Sequence, residues 1–559
     1  MGLFSKYRAI LGSFKLISPY IKKNKKVFGL ASLLMLLIAL MALPGPYIIK
    51  LIIDDALAKK NMKLLSSLIL LLLLIQALNL LFSSFSTYFY EVFSQTALAQ
   101  LKKDLIQRLL RLPLTYFSKS QTGYILSRIG EVDVLNVFLS SALARIFIGI
   151  FEFVFCLILL VYLNWQLALL SLSILPILAW ATRFYARAIR KHSLEVMEKG
   201  AVLTHHVEEA LSGVEIVKAF TAESRETSRI HLFLDDLRVA NIKKSITLTF
   251  SSSLLAFIAA IGGYLVLLFS GIGIIHGSFT IGAYFAFSGY LSKLYGPTQT
   301  LANLGLSIQP GLTALERVEE LFNYEVEKRG GLRVGQLKGE IEFRNVSFSY
   351  DNKFALKDIN FKIEPGERVL ITGPNGSGKS TIAKLLLGLY FPQEGEILID
   401  GQRIEGISLL SLRDRISIVS QNTFLFNDSI RNNIAFSKPI AKAEEIRRAA
   451  ELSGAADFVD LLPEGYETIV GENGKKLSGG ERQKIAIARA LLKEADILIL
   501  DEVATHLDIR SLERLAYLLN EHFERKTCFL ILHNTNYRLR IDRNIILDRG
   551  KIRAQNMSI

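Results

Sequence analysis

Gly373-Pro374-Asn375-Gly376-Ser377-Gly378-Lys379-Ser380-Thr381 is the stretch from which the chain is read. It follows the apolar run Val369-Leu370-Ile371-Thr372 and opens the helical pattern Thr381–Leu387. That is the strand, glycine loop and helix in which G-x-x-x-x-G-K-[ST] cradles phosphates. Glycines let backbone N–H groups close around an anion, and the helix N-terminus adds its positive end. Lys379 supplies a point charge to the β- and γ-phosphates, and Ser380 a hydroxyl to Mg2+.

Two further runs give this loop a context. Ile497-Leu498-Ile499-Leu500 reads as a buried strand with Asp501 and Glu502 at its C-terminal end, the end where open α/β sheets hold ligands. Asp501 suits the Mg2+ side of a nucleotide site and Glu502 the polarising of an attacking water. Leu477-Ser478-Gly479-Gly480-Glu481-Arg482-Gln483 is a second glycine turn at a helix start, hence a second anion site. One bound nucleotide has little use for two cradles, so the second is expected to serve a nucleotide held by another subunit. Short β-rich runs and helical segments alternate from about Gly339 onward, the pattern of an α/β domain.

The rest of the chain is of a different kind. The 559 residues are 50% hydrophobic, with a net charge of +14 and a mean hydropathy of +0.33. Residues 1–338 hold 35 Lys and Arg against 21 Asp and Glu, whereas 339–559 hold 31 of each. The whole excess sits beside the apolar tracts, which argues against nucleic-acid binding. Val27–Ile49, Leu64–Tyr90, Phe153–Thr182 and Ser245–Ser292 carry no charge, and about 20 apolar residues cross a bilayer. The third tract is broken by Asn164-Trp165-Gln166 and the fourth near Gly271–Ser278, which predicts six spans near 27–50, 64–92, 139–163, 165–186, 247–275 and 279–300. Seven Lys and Arg in 102–145 and eleven in 183–244 place these loops and both termini in the cytoplasm. The loops at 102–138 and 187–244 keep helical periodicity, so the helices are expected to run on beyond the bilayer. Phe14–Tyr20 is expected to lie along the interface. Met1–Lys26 lacks an A-x-A-type cleavage site, so no cleavable signal is expected. Cys156 and Cys528 are the only cysteines, which excludes a disulfide framework or a C-x-x-C site.

The P-loop, LSGGERQ at 477–483 and ILILDE at 497–502, in that order after six spans, resemble ABC exporters with membrane and nucleotide domains fused in one chain. The resemblance covers essentially the whole chain. It implies an all-α six-helix transmembrane domain (1–311), a linker (312–338) and an α/β P-loop ATP-binding cassette domain (339–559). It also implies ATP and Mg2+ as ligands. By resemblance, Tyr350 stacks on adenine, Gln421 contacts Mg2+ and senses the membrane domain, and Asp508 is the D-loop aspartate. His533 is the switch histidine on the γ-phosphate, Glu472 touches coupling helices, and Leu211–Phe220 is the second coupling-helix region. Ser478, Gly479 and Gly480 close on the partner's nucleotide, while Gly373 to Thr381 hold the chain's own. The sequence departs from the family in Thr505-His506-Leu507 before Asp508, in Asn534-Thr535 after His533, and in ending nine residues after Gly550.

One P-loop, one signature and six spans imply half a transporter, completed by a second half as homodimer or heterodimer. The expected function is ATP-driven export or flipping of a hydrophobic or amphipathic substrate: a lipid, lipid-linked glycan or drug. An importer of the same membrane fold and an ATP-gated regulator or channel remain alternatives. The expected setting is a bacterial inner membrane, with lipids as partners and no nucleic acid. No stretch before Val27 is long enough for a peptidase domain, so a peptide-processing exporter is not expected. Arg145, Glu152, Glu91 and Lys293 are candidate intramembrane charges, set against simple pairing or snorkelling. Tyr284, Phe285, Phe287 and Tyr290 are candidate cavity aromatics, set against ordinary packing.

Overall fold

The computed structural model describes residues 15–119, 122–327, 330–351, 353–503, 508–523, 526–532 and 540–557. The chain forms two compact units: Met1–Leu110 with Gln121–Tyr324, and Arg111–Ser120 with Glu325–Ile559.

The first unit is helical. Lys25–Leu57, Met62–Leu109, Trp165–Ser212 and Glu223–Ile275 are each long and apolar enough to cross a membrane. Ser141–Leu163 and Ile281–Asn323 are two further helices of this unit. Helix starts fall where a short polar side chain accepts orphan N–H groups. Asn61 takes that of Leu64, Asn164 those of Gln166 and Leu167, and Thr280 that of Ala283. The helices exceed a bilayer by far. At 1.5 Å per residue, the 48 residues of Trp165–Ser212 span about 72 Å, against a hydrocarbon core of about 30 Å. The helix starting at Ile281 runs to Asn323 and takes in residues 312–323, which the sequence reading assigned to a linker. Residues 15–23 form a short helix, and the Tyr20 hydroxyl donates to Asp104 at 2.7 Å.

Contacts far apart in sequence tie these helices together. Asp54, on a π-helical stretch Ile52–Leu57, accepts from the Thr280 hydroxyl (2.6 Å) and the Gly282 N–H (2.9 Å), capping the last helix from outside. A Cβ at Gly282 would stand 2.6 Å from that carboxylate. Phe287 and Tyr290 are buried, and the Tyr290 hydroxyl donates to the Leu43 carbonyl at 2.8 Å. Of the four candidate cavity aromatics, these two therefore serve helix packing, while Phe285 is exposed. Glu152 and Lys293 are part-buried and Glu91 is exposed; the Arg145 side chain lies outside what is described.

The second unit has two sheets. Strands β1 (Ile341–Tyr350), β2 (Lys353–Ile363), β4 (Glu394–Ile399) and β5 (Gln402–Arg403) form an antiparallel sheet in the order β2-β1-β4-β5. The larger sheet is ordered β10-β9-β3-β8-β7-β6, from β3 (Arg368–Thr372), β6 (Ile416–Val419), β7 (Ile497–Asp501), β8 (Thr527–Ile531), β9 (Arg543–Asp548) and β10 (Lys551–Met557). Its β9, β3, β8, β7 and β6 are parallel, and β10 closes the edge antiparallel to β9. Apolar residues on alternating sides explain why these strands are buried on both faces. Val369, Ile371, Ile497, Ile499, Phe529 and Ile531 pack toward the antiparallel sheet and the helix Lys379–Leu386. Leu370, Leu498, Leu500, Cys528 and Leu530 pack with residues of the helices Gly479–Leu492 and Ile509–His522. A third cluster joins the helices Ile430–Ala435 and Ala443–Ser453 to Gly479–Leu492. Residues 111–120, read from sequence as part of a loop of the membrane domain, pack in this unit, with Leu114 against its core.

Candidate nucleotide site

The parallel sheet delivers two functional loops at neighbouring strand ends. β3 and β7 flank β8, so the loop after Thr372 and the pair Asp501-Glu502 emerge on one side, at the carboxyl ends of the strands. The loop opens the helix Lys379–Leu386. Gly373 and Gly378 are required by space and conformation. Gly378 has φ +102°, and a Cβ there would stand 2.6 Å from the Ala355 carbonyl; one at Gly373 (φ +149°) would stand 2.1 Å from that of Leu547. Pro374, Asn375 and Gly376 are exposed, while Ser377, Lys379 and Thr381 are buried. The Lys379 ammonium donates to the carbonyls of Gly373 (2.9 Å) and Pro374 (3.1 Å), which curls the loop around its charge. Among the described residues, the buried Ser377 hydroxyl has no hydrogen-bond partner. A buried orphan hydroxyl costs stability unless a ligand satisfies it, and it stands in a loop of N–H donors around a buried cation. These groups fit a phosphate chain.

The acidic side is equally specific. The Ser380 hydroxyl donates to Asp501 at 3.2 Å. Burial pushes the Asp501 carboxyl above the ordinary aspartate range; the Ser380 hydrogen bond opposes this and the Glu502 carboxylate adds to it. A buried carboxylate raised in this way, beside a hydroxyl, is a donor set that suits a hard divalent cation. Glu502 is buried, its N–H donates to the Ile531 carbonyl, and the Gln421 side-chain amide donates to its carboxylate. Its φ of +53° lies in the left-handed region, which costs a non-glycine residue roughly 1–2 kcal/mol and is characteristic of functional positions. Tyr350 ends β1, and its hydroxyl lies 3.5 Å from that of Thr381. Its ring packs edge-on against Phe348 and Tyr390. Tyr350, the P-loop, Gln421, Asp501 and Glu502 are thus linked through hydrogen bonds and adjoining strands.

Ser478, Gly479 and Gly480 stand apart from that group. They start the helix Gly479–Leu492, where Ser478 accepts from the Glu481 N–H and Glu481 accepts from the Ser478 N–H (2.7 Å). Sequence reading passed over Glu481, although the S-x-x-E spacing marks this capping box. Ser478 is exposed, and no hydrogen bond among the described residues links 478–480 to the P-loop. Asp508 caps the helix Ile509–His522 by accepting from the Ser511 N–H at 2.7 Å, which holds its carboxyl below the ordinary range. Glu472 is exposed and pairs with Lys475 at 3.3 Å. In the other unit, Val214–Ala219 forms a short helix, with Leu211, Val214, Ile216 and Phe220 exposed around it. His533, Thr505, His506, Asn534 and Thr535 lie outside the described residues.

Comparison with known proteins agrees over both units. The pattern of the ABC transporter transmembrane region matches residues 28–298, and that of the ABC transporter nucleotide region matches 356–505. The chain is similar to the ATP-dependent lipid A-core flippase of Syntrophus aciditrophicus, with 33% identity over 96% of this chain and 90% of that protein. Its similarity to the ATP-dependent lipid A-core flippase of Dechloromonas aromatica is 35%, over 95% and 92% respectively. A bacterial Atm1-family ABC exporter solved with ATP bound superposes with a TM-score of 0.84 at 28% identity, covering 96% of this chain and 95% of that one. The protein is a multi-pass membrane protein and an ATPase whose hydrolysis is coupled to transport. A helical membrane unit and a P-loop cassette fused in one polypeptide, matched along nearly their whole length, place the chain in the ABC transporter family.

Proposed function

We propose that the chain is one half of a dimer that flips an amphipathic lipid outward across a bacterial inner membrane, with both termini in the cytoplasm. The observation that carries the dimer is the separation within one cassette of two anion cradles. Among the described residues, the helix start at Ser478-Gly479-Gly480 shares no hydrogen bond with the chain's own P-loop, and Ser478 is exposed, which suits it to face the nucleotide of a second half. The lipid reading is supported by the relatives, which are named as lipid A-core flippases.

In this reading the P-loop residues 373–381 hold the phosphates of ATP, with Lys379 exchanging its carbonyl partners for phosphate oxygens. Tyr350 presents a ring face to adenine. Ser380, Asp501 and Gln421 would hold Mg2+, which supplies charge neutralisation at the phosphates when bound. Glu502 accepts a proton from the attacking water, His533 contacts the γ-phosphate and Asp508 faces the partner cassette. ATP clamps the two cassettes, and hydrolysis releases them, a two-state switch biased by nucleotide.

The function is tested in proteoliposomes with a fluorescent headgroup-labelled phosphatidylethanolamine as probe. ATP is expected to move the label away from the leaflet on the cassette side, as read by quenching from outside. Movement in the opposite direction would show an importer. ATP-dependent ion leakage without lipid movement would show a channel.

The cation side gives a pH prediction. Divalent cations bind the ionised carboxylate, and Asp501 is raised by burial above the usual value of about 3.9. Its ionised form is therefore lost as pH falls through that raised value, earlier than for an exposed aspartate. Half-saturating Mg2+ for hydrolysis is expected to climb as pH is lowered from neutrality, and to begin climbing above the ordinary aspartate value. Mg2+ titrations at several pH values measure this, and a constant half-saturation across the range counts against Asp501 as the cation ligand.

A further inference from the structure

The helix that carries Lys379 at its start is held at its other end by one side chain. Lys379–Leu386 ends at Leu387, and Gly388 follows with φ +58°. Their carbonyls are among those that a helix C-terminus leaves without partners. Arg413, from the helix Leu409–Arg415, takes both: Nε donates to the Leu387 carbonyl at 3.0 Å and Nη2 to that of Gly388 at 2.9 Å. The guanidinium also places a cation at the negative end of the helix dipole.

The same guanidinium grips the chain that enters the cassette. Its Nη1 and Nη2 donate to the two carboxylate oxygens of Glu327 at 2.8 and 2.9 Å. The side chains are 28% and 15% exposed, so the pair is a bidentate, part-buried one rather than a solvated surface contact. The Glu327 N–H in turn donates to the Arg111 carbonyl at 2.9 Å. Arg111 leads into the short helix Leu114–Lys119, whose Leu114 packs on the cassette core and whose Lys119 pairs with Asp351 at 3.1 Å. Asp351 directly follows Tyr350. Residues 111–120 are continuous with the helix Met62–Leu109.

We propose that Arg413 and Glu327 are positioning residues that carry the position of the P-loop helix into the segment 111–120. An unbroken run of hydrogen bonds leads from the helix that holds phosphate to the chain that returns to the membrane unit. Among the described residues, neither side chain hydrogen-bonds to the P-loop or the Asp501-Glu502 pair. Replacing the Glu327 carboxylate by an amide leaves Arg413 on its two carbonyls and reduces the charged fork to a single neutral acceptor, so the nucleotide site stays built while its tie to the linker is weakened. The inference rests on the reading of the chain as one half of an ATP-switched dimer.

The test uses the full chain in lipid nanodiscs with a spin label at Met62→Cys. Met62 is 75% exposed and both native cysteines are buried, and protein without Met62→Cys carried through the same labelling sets the background. In otherwise unsubstituted protein, ATP with vanadate is expected to change the label–label distance between the two halves. With Glu327→Gln, the KM for ATP is expected to stay within about twofold, while the shifted population falls about fivefold or more. Glu327→Asp keeps the charge and is expected to recover at least half of the shift. The proposal is overturned if Glu327→Gln shifts as fully as the unsubstituted protein, or if KM rises in step with the loss and Glu327→Asp recovers nothing. If Glu327→Gln does not fold, Arg413→Lys takes its place: it keeps a cation but loses the fork to Glu327, and a full shift with unchanged KM also overturns the proposal. No shift in the unsubstituted protein removes the dimer switch itself, and the relay with it.

Discussion

Glu502→Gln is expected to lower ATP turnover by about two to four orders of magnitude while ATP still binds. The two side chains have the same shape, and the amide oxygen can still accept the hydrogen bond that Gln421 donates to Glu502. The backbone N–H keeps its bond to Ile531. What disappears is a carboxylate able to take a proton from water. The P-loop contacts of Lys379 and the Ser380–Asp501 bond are untouched, so ATP should accumulate on the protein and hold the two halves together. Steady-state hydrolysis and the amount of unhydrolysed ATP retained by the purified protein measure the two effects. Turnover within about tenfold of the unsubstituted protein would mean that another group polarises the water.

Lys379→Ala should fail one step earlier. Lys379 is 5% exposed and its ammonium bonds two loop carbonyls. Removing it takes a positive charge from the phosphates and leaves the Gly373 and Pro374 carbonyls facing inward unpaired. Losing a charged hydrogen bond of this kind costs about 1.5–3 kcal/mol, so ATP affinity should fall roughly 10- to 150-fold. Equilibrium binding of a fluorescent ATP analogue measures this, and binding within twofold of the unsubstituted protein would sink the role given to Lys379. The pair of variants separates holding the nucleotide from cleaving it.

The nucleotide site was legible because its chemistry is local. Nine consecutive residues define the P-loop, and two carboxylates after four apolar residues define the end of β7. The S-x-x-E capping box of Ser478 and Glu481 is just as local, but beside the two glycines it is read only as a turn at a helix start. Pairings between distant residues were not. Arg413 and Glu327 are 86 residues apart, and Asp54 and Thr280 are 226 apart. Neither side chain sits in a pattern that advertises its partner. The assignment of 111–120 to the cassette was hidden for a related reason. Its few apolar residues, such as Leu114, suit a loop as well as a packed patch until the partner surface exists. Phe287 and Tyr290 show the same limit, since an aromatic on an apolar helix reads alike whether it packs on a neighbour or faces a cavity.

The great length of the membrane helices has a mechanical consequence. Trp165–Ser212 and Glu223–Ile275 are paired rods joined only by a tight turn containing Val214–Ala219. No loop separates their lipid-embedded parts from that turn, and Pro176 of Trp165–Ser212 lies in the predicted span rather than in the projecting length, so that projecting length absorbs little of a displacement. Each behaves as a lever with its fulcrum in the bilayer. A push of about 3 Å at the end of the roughly 40 Å of rod that projects beyond residue 186 tilts it by about 4°, and the far end must answer in the opposite sense. The stiffness of the hydrogen-bonded length between Pro176 and the turn therefore sets how much of each stroke reaches the cargo.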